Sequence, residues 1–131
     1  MPEDKSAEAA EIAALFQQWN DALQSGLAEN VAALYAQDAI LLGTFVNEIL
    51  NTPAAITAYF ANLMHRRPSS AIVSEHIRHF GDIALHSGLY EFSLNADTPE
   101  ARLLARFTFA YRKGPEGWRI IEHHSSTLPQ A

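Results

Sequence analysis

Half-way along the chain the apolar residues change their period. Up to Leu63 they recur at helical spacing, and from Ala71 onward they alternate. Ile12, Leu15, Phe16, Trp19 and Leu23 form one stripe of a first helix, with Ser25-Gly26 as its stop. A second, short helix is expected through Val31, Leu34 and Tyr35, followed by Asp38 and a short strand at Ile40-Leu41-Leu42 that ends at Gly43. The third helix has the clearest signals. Thr52 suits the cap and Pro53 the first turn, Ile56, Tyr59, Phe60, Leu63 and Met64 share a face, and His65-Arg66-Arg67 with Pro68 close it.

Four alternating stretches follow, near 71–80, 83–94, 101–113 and 117–126. Gly81-Asp82, 95–100 and Gly114-Pro115-Glu116-Gly117 serve as turns. Helices first and hairpins after predict an α+β fold, an antiparallel sheet with helices on one face. Pairing Phe80 with Ile83, Leu94 with Leu103 and Arg112 with Trp118 sets Arg78 opposite Leu85 and lines up Glu91, Arg106 and His124 in one row. That row would face a pocket under the helices. The other face then carries His79, His86, Tyr90, Phe92, Phe107, Phe109, Tyr111 and His123. An uncovered aromatic surface of that size is an association site, so a second subunit is expected there. Protonation of its histidines near pH 6 would weaken the assembly.

Composition narrows the function classes. The 131 residues suit one domain, 1–131. Nine basic against fifteen acidic side chains give a net charge of −6, which disfavours nucleic-acid partners. With no cysteine, thiolate chemistry and thiolate metal sites are excluded. His123 and His124 are adjacent on a strand and point to opposite faces, and His76 and His79 split likewise, so no metal site is expected. No dinucleotide fingerprint is present, and no cofactor is expected. The acidic start, Met1-Pro2-Glu3-Asp4, is unlike a signal peptide, and no apolar run approaches the roughly 20 residues of a membrane span. The default is a cytoplasmic protein.

Several stretches carry a family likeness: Tyr35-x-x-Asp38-Ala39, Tyr59-Phe60-Ala61-Asn62-Leu63, His76-Ile77-Arg78-His79-Phe80-Gly81-Asp82, Gly117-Trp118-Arg119-Ile120-Ile121 and the closing His123-His124-Ser125-Ser126-Thr127-Leu128-Pro129. In these the chain resembles the nuclear transport factor 2-like (cystatin-like) superfamily. More specifically it is similar to the association domain of calcium/calmodulin-dependent protein kinase II and its stand-alone bacterial relatives. The resemblance implies a cone of helices on a curved sheet, a pocket between the two layers, and assembly into a homodimer or larger homo-oligomer through the sheet. It implies no kinase activity, since no kinase phosphate-loop or catalytic-loop motif is present. The kinase hub lines its pocket with arginines. Their positions fall near Glu91, Thr108 and Ser125 here, none of them Arg, with Arg106 two residues before Thr108. The wider superfamily also includes small-molecule enzymes such as ketosteroid isomerase and polyketide cyclases.

Two function classes therefore stay open. In the first, the chain is an association and ligand-binding module. Its pocket residues are Arg106, Glu91, Arg78, Tyr35, Tyr59 and Trp19, and its ligand is a small acidic or carbonyl compound. In the second it is a cofactor-independent isomerase, dehydratase or cyclase, with His124 as acid or base and Asp38 as a candidate general base. A cone filled by side chains favours the first. A carboxylate reaching a histidine inside the cone favours the second.

Overall fold

A computed structural model of the chain describes residues 5–94 and 102–129. Two helices, α1 (Lys5–Gln24) and α2 (Ala28–Ala32), precede strand β1 (Tyr35–Leu42). Helix α3 (Pro53–Leu63) follows and ends in a 3-10 turn over Met64–Arg66. Strands β2 (Ser69–Phe80), β3 (Ile83–Ser93), β4 (Arg102–Gly114) and β5 (Gly117–Thr127) complete the chain. The expected turn at 95–100 lies outside the described residues.

Helix α3 starts as its sequence demands: the Thr52 hydroxyl accepts from the Ala55 amide at 3.1 Å, with Pro53 in the first turn. The second helix is shorter than its pattern. It stops at Ala32, and Tyr35 opens a strand instead. Tertiary pairing overrides local periodicity here, because β5 recruits this segment. The Ile120 amide donates to the Leu34 carbonyl at 2.9 Å, and Tyr35 lies beside Ile120 in the parallel β1–β5 ladder. The sheet order is β1-β5-β4-β3-β2, so it is mixed, with four antiparallel strands and one parallel edge strand.

Of the three expected hairpin registers, the first is as read, with Phe80 opposite Ile83 and Arg78 opposite Leu85. The other two are displaced by two residues. Leu103 pairs with Phe92, so Glu91 faces Leu104 and Arg106 faces Leu89. In the last hairpin Arg112 pairs with Arg119, one residue beyond the expected partner, and a bulge between Ala110 and Tyr111 adds one more. Arg106 thus meets Ser126, and His124 meets Thr108. The expected row of Glu91, Arg106 and His124 does not form. The bulge also turns Ile120 inward, where it is buried against the helices.

The two faces of the sheet are the reverse of the sequence expectation. Tyr90, Phe92, Phe107, Phe109, Tyr111 and His123 are all buried within this one chain. They are the monomer core, not a subunit interface. Phe16 and Trp19 of α1 interlock with them: Trp19 stacks parallel to Tyr90 at 6.1 Å and meets Phe109 edge-on at 5.3 Å. Helices cover whichever face offers the most apolar area, and each fully buried aromatic contributes about 1.5–3 kcal/mol. The charged residues Arg78, Arg106, Glu122 and His124 stand exposed on the opposite face. At β3 the fit is tight, since a side chain at Gly88 would collide with the Ser74 carbonyl of the bulged β2.

Phe107→Glu and Phe109→Glu are therefore expected to prevent folding rather than dissociate an oligomer. Phe109→Ala should cost about 3–5 kcal/mol in urea unfolding. A Phe107→Glu chain that folds with an unchanged melting temperature would contradict this placement.

Candidate functional site

Inside the cone, where the resemblance implied a pocket, the chain holds a hydrogen-bonded line of its own side chains. The Trp19 indole N–H donates to the Tyr35 hydroxyl at 3.1 Å. That leaves the Tyr35 hydroxyl to donate to Nδ1 of His123, 2.7 Å away. With Nδ1 accepting, a neutral His123 carries its proton on Nε2, which donates to the Tyr90 hydroxyl at 3.2 Å. Tyr90 in turn donates to Ser125 Oγ at 2.5 Å, and Ser125 Oγ meets Thr44 Oγ1 at 2.6 Å. Six side chains from α1, β1, β3, β5 and the β1–α3 connection are joined, and only Thr44 approaches the surface. Phe109 stacks on the His123 ring at 4.0 Å, and Trp19 meets it edge-on at 5.4 Å.

Burial sets the electrostatics. It pulls the His123 imidazole down to about 3, with His124 adding to the effect, so this ring is neutral at ordinary pH. Burial raises the hydroxyls of Tyr35 and Tyr90, which stay protonated donors. Tyr59, from α3, closes the space from the side. Its ring lies against Gly43, where a Cβ would come within 2.6 Å of it. Burial pushes its hydroxyl up to about 12. The void left between Trp19, Tyr59, Tyr90 and His123 is about 10 Å³. That is at the limit for a single water.

The expected site residues fall into two groups. Trp19, Tyr35 and Tyr59 do gather inside the cone, Tyr35 from a strand rather than a helix, but as packed and hydrogen-bonded walls. Arg106, Arg78 and His124 lie exposed on the outer sheet face, and Glu91 on that face lies 3.9 Å from Arg102. Asp38 is also outside. Arg112 grips it with two bonds, at 3.0 and 3.2 Å, and holds its carboxyl below the usual range, so the expected general base stands in an exposed ion pair. The histidines expected on an association face are occupied elsewhere. His86 is buried, with Nε2 at 2.7 Å from Glu75, and His79 packs edge-on against Trp118. Among the described residues no three of His, Asp and Glu gather as a metal site would need.

Sequence reading missed Ser125 and Thr44, and it set His123 and Tyr90 on the wrong side. One signal was available. A histidine and tyrosines sharing one aromatic face can satisfy each other, which marks that face as internal.

The sequence-family profile described as the calcium/calmodulin dependent protein kinase II association domain matches residues 8–129. A solved protein from Xanthomonas campestris, provisionally called such an association domain, is 38% identical. It superposes with a TM-score of 0.85 over 92% of this chain and 88% of its own. A protein from Streptomyces avermitilis, of the nuclear transport factor 2-like family and provisionally called a dehydratase, is 16% identical. Its TM-score is 0.84 over 96% of this chain and 99% of its own, a likeness of fold. Another provisional association domain, from Thiobacillus denitrificans, is 20% identical with a TM-score of 0.73, over 89% and 94% of the two chains. Comparison with curated proteins returned no match. The α+β architecture is the cystatin-like fold described for matching structures from Nostoc punctiforme and Novosphingobium aromaticivorans, with TM-scores of 0.75 and 0.76.

The buried imidazole has a consequence for stability. Unfolded, His123 titrates near pH 6.5, whereas folded it refuses the proton until about pH 3. Above pH 6.5 both states are neutral and folding loses nothing. Below it the unfolded chain binds the extra proton, and stability falls by up to about 1.4 kcal/mol per pH unit. His86, lowered by burial, adds to the same trend. His123→Gln should be less stable at pH 7 yet lose stability less steeply between pH 6.5 and 5 in urea titrations. Parallel slopes for the two proteins would contradict the placement of His123.

Proposed function

The chain belongs to the calcium/calmodulin-dependent protein kinase II association-domain family, and from that premise we propose that it is a self-associating module that docks through the outer face of its sheet. These residues carry no kinase motif, so the reading assigns them assembly and not phosphoryl transfer. The observation that carries it is the outer face itself. Leu85 and Leu89 of β3 and Leu104 of β4 lie there without helical cover, and Leu104 is 40% exposed. Around them stand exposed Arg78, Arg106 and Glu122, with half-buried Glu91. A two-fold contact places one patch against its own copy, and leucines bordered by both charge signs can match themselves in that arrangement.

The closed interior supports the same choice. Proton-transfer catalysis needs a substrate beside its acid or base. The void next to His123 holds at most about one water, and His124 and Asp38 lie outside it.

Light scattering should return a multiple of 14.5 kDa for the wild-type chain. Leu89→Glu and Leu104→Glu, on the exposed side of a sheet whose core is untouched, should shift it to 14.5 kDa with the melting temperature nearly kept. A wild-type monomer at all concentrations, or variants of unchanged mass, would overturn the reading.

A further inference from the structure

The basic triplet His65-Arg66-Arg67 has, as sequence, only the role of ending a helix. In the fold, Arg66 also stands at one end of a groove of about 390 Å³ between α3 and the connection that follows β1. The volume is in the range of small-molecule sites. Phe45 and Leu50 form one wall, and Ala58 and Leu63 of α3 form the other. Alanine at 58 leaves the depth that a longer side chain would fill. Tyr59, half-buried, also lines the groove. Polarity is concentrated at Asn62 and Arg66, one helical turn apart. Among the described residues Arg66 forms no salt bridge, unlike Arg102, Arg112 and Arg119. Phe45, in the wall it shares with Leu50, is 40% exposed.

An apolar trough with one unpaired guanidinium and one amide at a single end matches a ligand of the same polarity pattern. In a chain of net charge −6, anions are repelled on average, so a local cation is what would retain one. We propose that this groove binds a medium-chain carboxylate, with the acyl body lying along Ala58 and Leu63 and the carboxylate paired with Arg66 and Asn62. The guanidinium fork suits a carboxylate in two-point contact. The site is separate from the sheet face assigned to assembly, so loss of one leaves the other intact.

Titration of the full chain with octanoate, followed by amide NMR shifts, tests this. Saturable shifts confined to residues 45–50 and 55–66 are expected. Arg66→Gln, an exposed change, should weaken octanoate about tenfold, the size of one charged hydrogen bond, and leave 1-octanol nearly unaffected. Ala58→Trp should abolish both while the remaining spectrum and the mass stay as in wild type. Absence of saturable binding overturns the proposal, as does equal octanoate affinity in Arg66→Gln or in Ala58→Trp. Binding to phosphatidylglycerol vesicles without binding to octanoate makes the patch a membrane contact. A changed mass in Ala58→Trp without octanoate binding makes it a subunit contact. Either result also overturns it.

Discussion

A histidine buried without a charge partner organises this protein. His123 has both ring nitrogens occupied, by Tyr35 and Tyr90, and a phenylalanine stacked on its face. An unsatisfied buried polar atom costs about 1–3 kcal/mol, so the two tyrosines must arrive together with the imidazole. Tyr35 brings β1 to β5, Tyr90 fixes β3, and Trp19 draws α1 down onto the sheet. The parallel edge strand, the seating of the long helix and the sealing of the cone therefore share one set of hydrogen bonds. Satisfied networks of this kind rigidify a core and select one arrangement of its elements.

The space between the helices and the sheet is occupied by the chain's own aromatic and hydroxyl groups. The leucine-bearing outer face of the sheet, proposed for assembly, and the groove along α3, proposed for a ligand, both lie outside that core. Their polarity differs. The sheet face offers both charge signs around an apolar centre, which suits a copy of itself. The groove offers one cation at the end of an apolar trough, which suits a small amphipathic anion.

Much of this was legible in the residues. The order of helices and strands, the Thr52-Pro53 start of α3, the first hairpin register and the family likeness all follow from local patterns. What local patterns could not supply was which face of the sheet turns inward. Alternation names two faces without ranking them. The row of Glu91, Arg106 and His124 depended on two hairpin registers, each displaced by two residues. A two-residue shift leaves Glu91, Arg106 and His124 each on the same face, so the alternation at these positions carried no trace of the error. In the last hairpin, half of that displacement comes from the bulge at Ala110 and Tyr111, which no turn signal marks. Tyr35 was misplaced for a related reason. Its helical spacing is local, while its partners, Ile120 and His123, lie more than 80 residues along the chain.

The most direct measurement is nitrogen NMR of the His123 side chain as the pH is lowered from 8 to 5. A closed core built on this ring requires a neutral imidazole protonated on Nε2, with chemical shifts that do not move across that range. A titration with a midpoint near pH 6, or a proton on Nδ1, would mean that the ring is open to solvent or differently bonded, and that the interior is not sealed by the chain's own side chains.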